Sequence, residues 1–139
     1  LSQVKVKEAE DGEIVQNGTV YIAPGGFHLK VIKSGDVLRV KLDNSTPPIN
    51  GHRPSVDVLF TSVSKLENYE KIAVIMTGMG SDGANGLINL KKSGAAKAIA
   101  ESKNTSIVYG MPKAAIATNL VDEVQDLDNI AASILKYIQ

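Results

Sequence analysis

The residues with the most chemical content stand in one run, Met76-Thr77-Gly78-Met79-Gly80-Ser81-Asp82-Gly83-Ala84-Asn85-Gly86. It follows the short apolar stretch Ile72 to Met76, which reads as a strand buried on both faces. It precedes a helical pattern carried by Leu87, Ile88 and Leu90. In open α/β sheets, ligands and reacting groups collect at this carboxyl end of a strand. The glycines let the chain turn sharply, and the amides at the helix start point outward as donors for negative charge.

Asp82 is the reactive side chain of the run. An acid at a helix start is favoured as the anion. Such a carboxylate can orient a histidine and stabilise the imidazolium that forms during acyl transfer. Neighbouring amides, that of Met79 for example, can face a developing oxyanion. The plainer reading is that Asp82 only caps its own helix. A different chemistry is also open. Gly78, Gly80 and Gly83 satisfy G-x-G-x-x-G, and Glu101 follows at the distance expected of a ribose-binding acid in a dinucleotide site. Against it, a carboxylate at position 82 would repel the pyrophosphate and compete for the helix-start amides.

The remaining candidates are sparse. The two histidines, His28 and His52, are far apart, which is poor ground for a metal site even if Asp57 or Asp82 joined them. His28 lies in a hairpin pattern and reads as structural. His52 and Arg53, just before a helix, read as rim residues of a pocket, with Arg53 either pairing with acidic groups or simply a surface cation. No serine sits in a Gly-x-Ser-x-Gly elbow, and Ser81 is adjacent to Asp82, so no complete Ser-His-Asp triad is expected from these residues.

The elements that must position the loop follow from periodicity. Val4 and Val6 alternate with lysines, and Thr19 to Ala23 is β-rich, so both read as strands. His28 to Lys33 and Val37 to Leu42 alternate about Ser34-Gly35-Asp36, a hairpin signal. Residues 44–54 carry three prolines and no period, hence a loop. Val56, Leu59, Phe60, Val63 and Leu66 then recur at helical spacing. Lys97 to Ala100, Ser106 to Tyr109 and, weakly, Val121 to Val124 read as further strands, with a short helix from Pro112 to Ala117. A last helix, capped by Asp126 or Asp128, carries the stripe Ile130, Ile134, Leu135 and Ile138. Strands alternating with helices predict an α/β fold: three layers, doubly wound, with a mostly parallel sheet and an antiparallel hairpin near the N-terminus.

The chain has 139 residues, 43% of them hydrophobic, and 15 basic residues balance 15 acidic ones. Zero net charge argues against a nucleic-acid partner. The absence of cysteine excludes a disulfide scaffold, a cysteine nucleophile and a thiolate metal site, and suits the cytoplasm. No apolar run approaches the roughly 18–20 residues of a membrane span, and no secretory signal opens the chain, so no membrane insertion is expected. With no repeat or linker, residues 1–139 read as one domain.

Five segments in order, Lys7 to Gly12, Val20 to Gly25, His52-Arg53-Pro54-Ser55-Val56-Asp57-Val58-Leu59-Phe60, Met76 to Gly83 and Tyr109-Gly110-Met111-Pro112, resemble the catalytic domain of the CheB family of chemotaxis protein-glutamate methylesterases. The resemblance covers nearly the whole chain. It implies hydrolysis of glutamyl methyl esters, and deamidation of certain glutamines, on the cytoplasmic helices of methyl-accepting chemoreceptors. The work is done by a serine, a histidine and an aspartate, without cofactor or metal. The family aspartate falls on Asp82 and an oxyanion donor on the amide of Met79. The family's Gly-x-Ser-Thr-Gly-Gly and Gln-His-Met-Pro motifs have no counterpart here. The chain therefore resembles the carboxyl-terminal part of that domain, without its first strand-helix-strand unit and without the family's N-terminal receiver domain. By itself it is expected to be inactive.

Overall fold

The computed structural model describes residues 4–138. Its strands are β1 (Lys5–Glu8), β2 (Thr19–Ile22), β3 (His28–Ser34), β4 (Val37–Asp43), β5 (Lys71–Ile75), β6 (Ala96–Glu101) and β7 (Glu123–Gln125). Its helices are α1 (Val56–Ser64), α2 (Ala84–Lys92), α3 (Met111–Ala117) and α4 (Leu127–Ile138). β5, β6 and β7 form a parallel sheet in that order, β1 and β2 a parallel pair, and β3 and β4 the expected antiparallel hairpin.

β5 and β6 carry apolar residues on both faces, as strands covered on both sides do. Ala73 pairs with Ala98 and Ile75 with Ala100, so these side chains share one face. Ala73, Ile75 and Ala98 join Phe60 of α1, Leu87 and Leu90 of α2 and Ala115 of α3 in the main core. Leu87 and Leu90 are almost wholly buried; burial of this kind contributes about 1.5–3 kcal/mol per side chain. Val74 and Ile99 alternate to the other face, and α4 packs against β6. A second cluster of Ala9, Leu29 and Val40 lies under the hairpin, and Leu59 of α1 touches both cores. Ser62 Oγ accepts the Val31 amide at 3.1 Å and ties the hairpin to α1. Among the described residues no helix is long and apolar enough to cross a membrane.

Two local readings fail. Ser106 to Tyr109 is not a strand. It makes a single bridge, Gly78 to Tyr109, and leaves Ile107 89% exposed, because the Thr77 side chain takes the Val108 amide that a ladder would use. The stripe on α4 holds at Ile130 and partly at Ile134 but not beyond. Ile130 and Ser133 are buried, but Leu135 and Ile138 are exposed. The packed face instead runs through Ser133 and Tyr137 to Glu123 of β7, whose carboxylate also meets Lys136 at 2.7 Å. Asp126 does not cap α4 with its side chain, which accepts Ser102 Oγ.

Candidate active site

The starts of α1 and α2 face each other, and each is capped by a carboxylate from the other's segment. Ser55 begins α1, as its hydroxyl suits it to do. Around it, Asp82 Oδ1 accepts Ser55 Oγ at 2.8 Å and the Asp57 amide at 2.9 Å, while Oδ2 accepts the Val56 amide at 2.6 Å. In return, Asp57 Oδ1 accepts the Gly83 and Gly86 amides at 2.9 and 2.8 Å. The helices can come this close because position 86 is glycine. A Cβ there would lie 2.6 Å from Phe60 Cβ and 3.1 Å from the Asp57 backbone. Asp82 caps a helix, as expected of its type, but the helix is α1 rather than its own.

This arrangement fixes the Asp82 rotamer and leaves acceptor capacity. Oδ1 takes two donors, but Oδ2 takes one among the described residues, so a further N–H can reach it. The side chain is buried, with 9% exposure remaining for that approach. The neighbouring loop is held differently. The Gly78 amide donates to Val108 O at 3.0 Å, and Gly78 O accepts the Gly110 and Met111 amides at 3.1 and 2.9 Å. Gly110 is needed for this contact, since a Cβ would stand 2.8 Å from both Gly78 O and Gly80 N. Among the described residues no acceptor takes the Met79 amide, and the Met79 side chain is 73% exposed.

The other predicted residues lie elsewhere. His28 is fully buried, with Nε2 hydrogen-bonded to Pro47 O at 2.9 Å. His52 is exposed in a tight turn with Ile49. Neither bonds to Asp82. The Arg53 guanidinium donates to the carbonyls of Asn44 and Thr46 and braces that loop. A cavity of about 550 Å³ is lined by Leu66, Tyr69, Lys71 and Ala95 at the opposite end of β5. Among the described residues no cluster of side chains could hold a metal.

The dinucleotide reading fails on geometry. The Gly83 and Gly86 amides, which would have to hold a pyrophosphate, are already taken by Asp57. Glu101, the would-be ribose ligand, is 1% exposed and bonded to the Thr77 amide and to Thr105. Sequence reasoning offered Asp57 only as a possible companion of the histidines at a metal, and missed the bonds that Ser55 and Asp57 make here. Their signal was a helix-start serine with an acid two residues later, facing a second helix start across the fold.

The sequence model of the family described as CheB methylesterase matches residues 1–134. The chain belongs to the CheB methylesterase family. The catalytic domain of Thermotoga maritima CheB methylesterase superposes with a TM-score of 0.91 at 40% identity, covering 96% of this chain and 70% of that domain. A CheB relative from Geobacillus kaustophilus strain HTA426, named protein-glutamate methylesterase/protein-glutamine glutaminase, is 57% identical over 138 residues, which are 99% of this chain and 39% of the relative. One of the same name from Bacillus subtilis strain 168 is 54% identical over 139 residues, 100% of this chain and 39% of the relative. The chain thus spans about two-fifths of these CheB proteins' length.

Proposed function

We propose that this chain supplies the aspartate and the oxyanion loop of a hydrolase that demethylates glutamyl methyl esters, and deamidates glutamines, on the cytoplasmic helices of chemoreceptors. The supporting observation is the Asp82 carboxylate, locked by three donors from α1 with one acceptor position open at Oδ2. The nucleophilic serine and the histidine belong to polypeptide outside these 139 residues. The serine attacks the side-chain carbonyl, the histidine takes its proton and passes it to departing methanol or ammonia, and water then frees the acyl-enzyme as glutamate. Asp82 holds the imidazole in its productive tautomer and steadies its positive charge. The unengaged Met79 amide stabilises the tetrahedral oxyanion. His52 and Arg53 precede the α1 start, where Arg53 braces the carbonyls of Asn44 and Thr46. The chemistry needs no metal or nucleotide. The intact protein works in the cytoplasm beneath an N-terminal receiver domain.

The test is Asp82→Asn in the intact enzyme, measured by methanol release from methylated receptor. An asparagine keeps the shape but presents the wrong hydrogen-bonding groups, and turnover should fall by about 10⁴, as it does for the equivalent change in a serine protease. Turnover like that of the unsubstituted enzyme would remove Asp82 from catalysis.

A further inference from the structure

The geometry points to Glu101 as a positioning residue that presets the oxyanion loop. This rests on the hydrolase reading above and extends it to a residue that reading leaves idle. Glu101 ends β6 with 1% exposure, and no ion pair among the described residues compensates its charge. A buried carboxylate in that state is costly unless hydrogen-bonded. Its two oxygens have separate tasks. Oε1 accepts the Thr77 amide at 2.8 Å, and Oε2 accepts Thr105 Oγ1 at 2.9 Å. Thr105 Oγ1 in turn accepts the Leu127 amide at 3.0 Å, which anchors it to the start of α4.

Thr77 is two residues before Met79, where the loop leaves β5. From the other side, the Thr77 hydroxyl accepts the Val108 amide at 2.8 Å, and Gly78 sits on the Gly110 turn. The strand end is therefore gripped by the 108–111 turn, whose Gly110 also lies against the Gly80 backbone, and by Glu101, while Met79 between them is 73% exposed. Without Glu101 one grip is lost and the Thr77 amide is left to find another acceptor, so the Met79 amide is no longer aimed by a fixed base. Oxyanion donors act only when held in place before the reaction, so an error of about 1 Å is felt in turnover rather than in substrate binding. The function needs an acceptor oxygen at this point, not a charge.

The experiment is steady-state kinetics of the intact enzyme on methylated receptor for Glu101→Leu, Glu101→Gln and Thr105→Val, each checked by a thermal melt. Glu101→Leu should lower kcat by about 10- to 100-fold with KM changed less than about twofold. Glu101→Gln, whose amide oxygen can still accept from Thr77, should recover most of that loss. Thr105→Val, which frees Oε2 and the Leu127 amide but leaves the Thr77 amide on Oε1, should lower kcat several-fold and serves as the readout if Glu101→Leu does not fold. Unchanged kcat in a folded Glu101→Leu or in Thr105→Val overturns the proposal, as does a Gln variant as slow as the Leu variant. If the unsubstituted enzyme releases no methanol, or Asp82→Asn is fully active, it is the hydrolase reading that has failed. Normal catalysis with that Asp82 dependence, but indifferent to Glu101, isolates the failure to the present proposal.

Discussion

Removing the Asp57 carboxylate should loosen both helix starts at the site. Asp57→Ala deprives the Gly83 and Gly86 amides of their acceptor. Were the site sealed, two lost charge-assisted bonds would cost several kcal/mol. Asp57 is half-buried, however, so water can replace part of what is lost. The cost should then follow that of losing a helix cap, about 1–2 kcal/mol. For a folded unit of this size, that corresponds to a fall of about 3–8 °C in Tm. Asp57→Asn keeps an oxygen where Oδ1 stands and gives up only the charge's interaction with the helix end, about 0.3–1 kcal/mol. Calorimetric melts of the intact protein should therefore rank the unsubstituted form above Asn and Asn above Ala. An Ala variant melting within about 1 °C of the unsubstituted protein, or an Asn variant as unstable as Ala, would refute the reciprocal cap as a source of stability.

Two further outcomes concern the frame around the site. Ile130→Ala should cost about 2–5 kcal/mol, because Ile130 is 5% exposed, whereas Leu135→Ala, at a position 58% exposed, should stay within about 0.5 kcal/mol in urea titrations of the intact protein. Acid should weaken the anchor of α4. Lys136, Tyr137 and Gln125 pull the Glu123 carboxyl from its ordinary 4.5 to about 2, and its hydrogen bond pushes the Tyr137 phenol up to about 12. Hydrogen bonds from Thr46, Ser45 and Lys30 likewise hold Asp43 far below the usual carboxylate range. The unfolded chain takes up these protons first, so the stabilisation is complete above about pH 4.5 and is lost as pH falls through about 2. Glu123→Gln should therefore melt lower than the unsubstituted protein near neutral pH and converge with it towards about pH 2, and a constant gap across that range would contradict the assignment.

The fold was legible wherever a short-range rule decided it. The hairpin came from Gly35 between two alternating runs, and α1 and α2 from apolar spacing after turn residues, with boundaries close to those observed. The failures were tertiary. Ile107 and Val108 have strand-forming side chains, but the adjacent backbone is taken up by Thr77 and Gly78 in bonds spanning about thirty residues. Leu135 fitted an apolar period, yet the polar anchor at Glu123 set the face of α4 that packs. At the site, Asp82 was visible because an acid after a glycine turn is a local pattern. Its donors at Ser55, Val56 and Asp57 come from a distant helix, and no local spacing encodes them. Glu101 carried a misleading signal: its distance from the glycines fits a cofactor acid, while its side chain is spent on Thr77.

The role of Asp82 is decided by what approaches its Oδ2. A crystal structure of the intact catalytic domain would measure it directly. An imidazole nitrogen is expected about 2.6–3.2 Å from that oxygen, with the three donors from Ser55, Val56 and Asp57 still in place. A carboxylate with no imidazole within reach, in a fully resolved domain, would contradict it.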